Sequence, residues 1–175
     1  MDHNSKMSAT YRNVVLGERR FYLNPSNSKF VSVCLAHELN FEPVVVISGN
    51  KQDRVLFSEP EWLNFLSHKS VIDSFMAGNP QQSINDGKVQ LEFMHLPHMS
   101  VVKVTNGESQ IILGANSIVS LWTTLPIVNY LLETLKKENF ISSLKILKTG
   151  VDSNNPIESG LQIMEPIKNI NKTTY

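Results

Sequence analysis

The sequence predicts an α+β protein made of two similar units in tandem, each with β-strands followed by a long helix. Three observations lead to this prediction. Segments that alternate in polarity or are rich in β-branched residues open each half. A stretch with apolar residues at helical spacing closes each half. The same order of elements returns 56 residues later, as expected for a duplicated domain.

The strands of the first half follow from alternation and β-branched runs. Val31, Val33 and Leu35 fall on one face of a strand by their period of two. The run Val44–Ile47 has the length and composition of a buried strand, and Gly49–Asn50 supplies turn residues after it. The predicted strands cover residues 19–23, 29–39, 43–48 and 54–57.

A long helix is predicted over residues 59–77. Ser58 is a suitable N-cap, and the acidic, proline-containing turn after it is typical of a helix start. Gly78 and Pro80 end the helix. The apolar residues at roughly helical spacing are Trp62, Leu63, Leu66, Ile72, Phe75 and Met76.

The second half repeats this order. Residues 87–134 can be laid on residues 31–78 at a constant offset without a gap, which predicts a second helix over 117–137. Pro126 should kink or split that helix near Thr124. The first strand of the second unit is weak, around Ser83–Ile84. The matched positions include Val33 with Val89, Val45–Val46 with Val101–Val102, and Asn50 with Asn106.

Composition and charge limit the class of function. The 175 residues carry 16 basic and 16 acidic side chains, and hydrophobic residues make up 41%. Zero net charge argues against extensive electrostatic binding of duplex nucleic acid. A neutral chain can still carry a local basic patch. No uninterrupted apolar run reaches the roughly 18 residues of a membrane helix, so no membrane contact is expected. All four arginines, which are Arg12, Arg19, Arg20 and Arg54, lie in the first half.

The segment around the first helix resembles the PC4 family of transcriptional coactivators. The resemblance is carried by Arg54–Leu66 (RVLFSEPEWLNFL), by Val71–Met76 (VIDSFM), and by Arg19–Leu23 and Lys29–Val33 upstream. It covers residues 18–78 and, weakly through the duplication, residues 87–138.

The resemblance implies two tandem antiparallel ββββα units. In the family, two such units pair through their helices and the curved sheets bind single-stranded DNA. Here both units would lie in one chain and form an intramolecular pseudo-dimer, so the chain is expected to be a monomer with an internal pseudo-two-fold axis. The family's basic loop is replaced by Asn40–Pro43, which contains an acid. The expected divisions are a disordered N-terminus (1–10), a first PC4-like unit (11–80), a second, diverged unit (81–140) and a C-terminal extension (141–175).

The expected nucleic-acid-binding residues combine cations with an aromatic side chain, as single-strand binding requires. Alternation places Arg20 and Tyr22 on one strand face, opposite Phe21 and Leu23. The expected set is Arg19, Arg20, Tyr22, Lys29, Lys51 and Arg54. The residues expected to form the pseudo-dimer interface by helix packing are Trp62, Leu66, Trp122 and Leu131.

Other chemistry is not favoured by the sequence. His95 and His98 flank a proline and have no further ligand at metal spacing, so no metal site is expected. Cys34 lies in an alternating strand, on the face opposite His37, which indicates a structural cysteine. With no phosphate loop or catalytic motif, neither a cofactor nor an enzymatic activity is expected.

The functional prediction is a single-stranded DNA- or RNA-binding protein of transcription or genome maintenance, intracellular and preferentially nuclear. The alternative is a protein-interaction adaptor on a PC4-like scaffold that has lost nucleic-acid binding. Its partner would dock on a sheet edge or on the C-terminal tail. Neutral charge and the acidic loop favour the alternative.

Overall fold

A computed structural model describes residues 15–50, 53–85 and 87–137 of the chain. Within these ranges the protein is a mixed α+β structure with two antiparallel sheets and helices packed against them, which confirms the predicted class at that level. The expected N-terminal segment 1–10, the C-terminal extension 141–175, Arg12 and Lys51 lie outside the described residues.

The first sheet is a four-stranded antiparallel meander. Its first turn is closed by Asn24, whose side-chain Oδ1 accepts hydrogen bonds from the backbone N–H groups of Ser28 and Lys29, each at 3.0 Å. Neighbours in the chain are neighbours in the sheet. The strands are β1 (Val15–Tyr22), β2 (Phe30–Ala36), β3 (Glu42–Ser48) and β4 (Arg54–Phe57).

The predicted helix 59–77 is two helices, α1 (Glu59–Ser67) and α2 (Lys69–Met76). The prediction of one helix was wrong because His68 takes φ −92° and ψ 6°. Its N–H donates to the carbonyl of Phe65, three residues back, instead of following the four-residue spacing of an α-helix. A capping box begins α1, with Ser58 as the N-cap. The break lets both helices turn aromatic residues into the core.

The second sheet has three strands, β5 (Val89–Leu96), β6 (Met99–Asn106) and β7 (Ser109–Gly114). The weak first strand is reduced to one bridge, in which Ile84 and Leu91 exchange backbone hydrogen bonds of 2.8 and 2.9 Å. The described residues therefore do not form the complete ββββα unit expected for the second half.

One continuous helix, α3 (Ala115–Leu135), follows the second sheet. Of the two expected effects of Pro126, a kink or a split near Thr124, the split was wrong. Pro126 lies on the exposed side of the helix, while Leu121 and Val128 are held in the core. The missing N–H of proline therefore weakens the backbone ladder without disturbing the packing that holds the helix together.

The gapless match between the halves was also wrong. Val45 faces the main core, but Val101 lies on the opposite face of β6, and Val102 takes the core position. The cause is loop length. Residues 37–41 connect β2 to β3, whereas two residues, 97 and 98, connect β5 to β6, so the pairing register shifts.

When the hairpins are compared by register, each sheet carries one apolar row toward the core. Both rows begin with a half-buried side chain on the outermost position and continue through fully buried ones. The row of the first sheet is Phe21–Val31–Ile47–Val55, and that of the second is Ile84–Leu91–Val104–Ile111.

A single main core joins the two sheets and the three helices. Helix α3 contacts β2 and β3 of the first sheet as well as β6 and β7, and strands β4 and β7 contact each other. The largest buried side chains of this core are Trp62, Phe57, Phe65 and Phe75.

Helix α3 is long and apolar enough, by length and composition, to cross a membrane; no other described helix is. Its polar residues interrupt the apolar run, which is why the sequence shows no unbroken hydrophobic stretch. Four of its apolar residues, Ile118, Leu121, Val128 and Leu132, are buried in the main core.

Candidate nucleic-acid interface

The outer face of the first sheet, away from the main core, brings together residues from all four strands. Cross-strand pairing sets Tyr22 opposite Phe30, Phe30 opposite Ser48, and Ser48 opposite Arg54. Directly paired residues share a face, so this row crosses the whole sheet. With strands about 4.8 Å apart, the row spans roughly 14 Å.

An aromatic and cationic cluster occupies one end of this face. The guanidinium of Arg20 lies 4.5 Å from the centroid of the Phe30 ring, and Tyr22 meets the same ring edge-on at 6.4 Å. The Tyr22 side chain is exposed. Cation–π contact and ring packing hold Arg20, Tyr22 and Phe30 together, and we name these three residues the β1–β2 cluster.

Glu18 is the ionic partner of the β1–β2 cluster. Its Oε2 accepts hydrogen bonds from Nε and Nη2 of Arg20, at 2.9 and 2.7 Å. Hydrogen bonding to Glu18 is the main reason that the pKa of Arg20 is raised above its usual value. Gly17, with φ +65°, lies at the register shift between Leu16 and Arg19, which is the geometry of a β-bulge.

The other end of the outer face is closed. Cys34, Ala36, Val44 and Val46 form a second, smaller buried cluster, and Leu39 from the β2–β3 connection packs against it. Beside Leu39, the carboxylate of Glu38 lies 4.0 Å from Nη1 of Arg54. The acidic β2–β3 connection therefore covers this end of the sheet.

Burial makes Cys34 unreactive as a nucleophile. Desolvation is the main cause that raises the pKa of its thiol to about 12. The thiolate, which is the reactive form, is therefore scarce at neutral pH.

The remaining predicted residues take different positions. Arg19 is exposed on the edge strand but pairs with Val33, which faces the main core, so it points away from the β1–β2 cluster. Lys29 is half-buried just before β2, and its carbonyl accepts from the N–H of Leu23 at 2.8 Å. Phe30 and Glu18 were not predicted. The alternation of β2 could have placed Phe30 on the outer face, whereas no sequence signal identifies the Glu18 contact.

The outer face of the second sheet is polar at the matching place. Gln90 pairs with Thr105, and Thr105 with Gln110, in the register of the Phe30–Ser48–Arg54 row. These side chains border an open cavity of about 370 Å³, which contains neither an arginine nor an aromatic residue. Lys103 and Glu92 also line this cavity, and Lys103 Nζ lies 2.9 Å from Glu92 Oε2. The two faces therefore differ in chemistry.

The predicted interface residues lie where the helices of the two halves meet. The Trp62 indole N–H donates to Asn129 Oδ1 at 3.1 Å, and that of Trp122 donates to Asp73 Oδ1 at 2.7 Å. At one end Lys136 Nζ lies 2.7 Å from Glu59 Oε1. Trp62 is fully buried, while Leu66, Trp122 and Leu131 are half-buried and pack against the main core.

Glu61 links the first helix to the second sheet. Its carboxylate accepts from Lys88 Nζ at 2.6 Å, from the Ser58 N–H at 2.9 Å and from Asn106 Nδ2 at 3.0 Å. Asn106 Nδ2 also donates to the carbonyl of Leu56 at 2.7 Å. Burial tends to raise the pKa of Glu61, but these hydrogen bonds outweigh it and lower the pKa.

We expect Glu61→Gln to make the free energy of unfolding less dependent on pH in the acidic range. Because the pKa of Glu61 is lower in the folded state, its carboxylate stabilises the fold above the unfolded-state pKa. That contribution disappears as the pH falls through the folded-state pKa, so the wild-type chain should lose more stability below roughly pH 5 than the variant. Urea unfolding at a series of pH values measures this, with Glu108→Gln in the exposed β6–β7 turn as the control. Equal acid sensitivity of wild type and Glu61→Gln would contradict the assignment.

Among the described residues, no three His, Cys, Asp or Glu side chains come together in a way that could hold a metal ion. His95 Nδ1 lies 3.0 Å from the hydroxyl of Ser100, and its ring packs on Phe75 with 4.9 Å between centroids. Its neighbours are those of a strand histidine on the margin of the core.

Comparison with protein-family models, with curated proteins and with solved structures finds no match.

Proposed function

We propose that the chain is a diverged tandem PC4-like protein whose two units pair as an intramolecular pseudo-dimer. The matching apolar rows of the two sheets support this, with Ile84 in the place of Phe21 and its single bridge as the remainder of a first strand. The helices that follow the sheets begin at Glu59 and Ala115, 56 residues apart. The side-chain contacts Glu59–Lys136, Trp62–Asn129 and Asp73–Trp122 run in opposite order along the two helical segments, which supports an antiparallel pairing.

The contacts between the helices add to this proposal. Asp73 and Asn129 are also 56 residues apart, and each accepts a hydrogen bond from a tryptophan indole of the other half. The acceptors therefore occupy matching positions, but the donors do not, since at the same offset Trp62 matches Ile118 and Trp122 matches Leu66. A strict two-fold interface would repeat both members of each contact. An aspartate in one half and an asparagine in the other make the relation approximate.

We further propose that the protein binds single-stranded nucleic acid through the outer face of the first sheet, in a nuclear role in transcription or genome maintenance. The observation that carries this proposal is the β1–β2 cluster and its continuation to Arg54 along one row. An exposed tyrosine beside a phenylalanine offers stacking surfaces for successive bases, and the guanidinium of Arg20 offers a partner for phosphate. No reaction is required, because stacking and charge neutralisation are sufficient for binding.

Fluorescence anisotropy with short fluorescent single strands at low salt tests the proposal. Tyr22→Ala should weaken binding by about 1–3 kcal/mol, because a stacking surface is removed. Arg20→Ala should weaken binding and also reduce its salt dependence, because one fewer phosphate is neutralised. Both side chains are more than half exposed, so the folded state should be retained, which thermal unfolding checks.

Matched changes on the second sheet are the controls. By register, Gln90 takes the place of Phe30 and Lys103 that of Val46. Gln90→Ala and Lys103→Ala therefore change a face that, among its described residues, has no arginine or aromatic side chain, and they should leave affinity nearly unchanged. If the wild-type chain has no affinity for single strands at low salt, where the charge contribution is largest, the binding proposal fails.

A protein-interaction adaptor is the second candidate, and one observation favours it. Both guanidinium groups of the outer face already have carboxylate neighbours, Glu18 beside Arg20 and Glu38 beside Arg54. The local charge available to a phosphate backbone is therefore small. Absence of single-strand binding in the experiment above would favour this function.

A further inference from the structure

We propose that Glu18 is an internal competitor for the phosphate group, which holds Arg20 over the Phe30 ring and keeps the single-strand site closed until a ligand displaces it. This inference rests on the proposed function and adds a regulatory contact to the same site. The structure contributes three observations, one each on Glu18, Phe30 and Ser32.

The first observation is the geometry of the ion pair. One oxygen of Glu18 accepts hydrogen bonds from both Nε and Nη2 of Arg20. These are the two donors that a phosphate group would engage. The Glu18 side chain is 20% exposed and the Arg20 side chain 52%, so the guanidinium is the more accessible partner of the pair. A ligand phosphate can therefore approach Arg20 from the solvent side and replace the carboxylate.

The second observation is that the stacking surface is already occupied. The guanidinium of Arg20 lies over the Phe30 ring at 4.5 Å, where a base would otherwise stack. As long as Glu18 holds Arg20 in this place, Tyr22 is the one ring of the β1–β2 cluster that is open to a base. Displacement of Glu18 would free Arg20 to follow a phosphate and would uncover Phe30 for a base.

The third observation is a buried hydroxyl without a hydrogen-bond partner, on the residue that pairs with Arg20 across the strands. Ser32 is directly opposite Arg20 in the register, is 0% exposed, and its Oγ has no hydrogen-bond partner. Buried hydroxyl groups in folded proteins ordinarily have a partner. When Arg20 moves away, this hydroxyl becomes available to a phosphate oxygen or to the edge of a base on Phe30.

The bulge at Gly17 fits this arrangement. Its left-handed conformation, at φ +65°, comes directly before Glu18 and coincides with the shift in register between β1 and β2. Bulges of this kind reorient a side chain at the edge of a sheet. The bulge therefore positions the competing carboxylate against Arg20.

The test is a double-mutant cycle on affinity for a fluorescent oligothymidylate at low salt. Glu18→Gln should bind about two- to fivefold tighter than wild type, the range that corresponds to an exposed ion pair. In the Arg20→Ala background the same change should have almost no effect, because the group that Glu18 restrains is gone. Glu108→Gln removes an equal charge from the distant β6–β7 turn and should leave affinity unchanged.

An equal gain in both backgrounds would overturn the inference, because it would show a long-range charge effect rather than competition for Arg20. Unchanged affinity of Glu18→Gln in a chain that does bind would overturn it too, while leaving the proposed function intact. If neither wild type nor Glu18→Gln binds, the proposed function itself fails.

A second measurement uses the wild-type protein alone, so it does not require an affinity to be measured for the weakly binding Arg20→Ala variant. The NMR signal of the Arg20 Nε–H should move as wild-type protein is saturated with oligothymidylate, because the group exchanges a carboxylate for a phosphate and leaves the face of the Phe30 ring. A signal that stays in place through saturation would overturn the inference.

Discussion

Replacing Trp62 with alanine is expected to destabilise the folded chain by about 3–5 kcal/mol, the usual range for removal of a buried large aromatic side chain. The indole is 0% exposed and packs against Phe57 and Phe65, with ring centroids 5.7 and 5.5 Å away. Its N–H also donates to Asn129 of α3, so the change removes one of the contacts between the two halves.

Urea unfolding followed by far-UV circular dichroism measures this loss, and Trp62→Phe is the matched control. Phenylalanine keeps an apolar ring in the same place but cannot donate to Asn129, so it should destabilise the chain much less than alanine. A loss below about 1 kcal/mol for Trp62→Ala would contradict the buried position, because surface changes fall in that range.

Leu121→Ala is expected to destabilise the chain by about 2–5 kcal/mol, because it leaves a cavity at a fully buried position of α3. The same substitution at Leu63, whose side chain is 58% exposed on α1, should change stability by no more than about 0.5 kcal/mol. Thermal and urea unfolding of the two variants compare identical chemistry at a buried and an exposed site.

This comparison also decides how α3 is used. A helix that is apolar by composition can serve as a core helix or as a membrane span, and only the first use makes Leu121 critical in aqueous solution. Equal stability of Leu121→Ala and wild type would place the helix outside the core and contradict its packing on both sheets.

The elements that the sequence predicted well are those with a strong local signal. The β-branched run of β3, the alternation in β2 and the capping residues before α1 all act on the chain within a few residues. The starts of β2, β3, β4 and α1 were therefore located to within one residue, whereas β1 begins at Val15, four residues before the predicted start. The α+β class followed from these local patterns.

The predictions that failed depended on tertiary packing. Nothing local marks His68 as a break, since neither glycine nor proline is there, and the core on both sides decides the turn. Pro126 carries a strong local signal against a helix, but burial of Leu121 and Val128 outweighs it. The register of the second sheet depends on a two-residue connection, which strand composition does not reveal.

The candidate site was predicted in part for the same reason. Alternation along one strand placed Arg20 and Tyr22 on a common face, which requires no knowledge of neighbouring strands. The row through Phe30 and Ser48 to Arg54 depends on pairing between strands. The contact with Glu18 depends on the bulge, so reasoning from sequence could not include it.

The bond between Trp62 and Asn129 has a consequence for synthesis of the chain on the ribosome. The two residues are 67 positions apart, so at about 5–20 residues per second Trp62 is made roughly 3–13 s before its partner. During that interval the first sheet and its two helices have no α3 to cover them. The nascent chain therefore carries exposed aromatic surface for seconds, and the first half completes its fold only when the last described helix has been made.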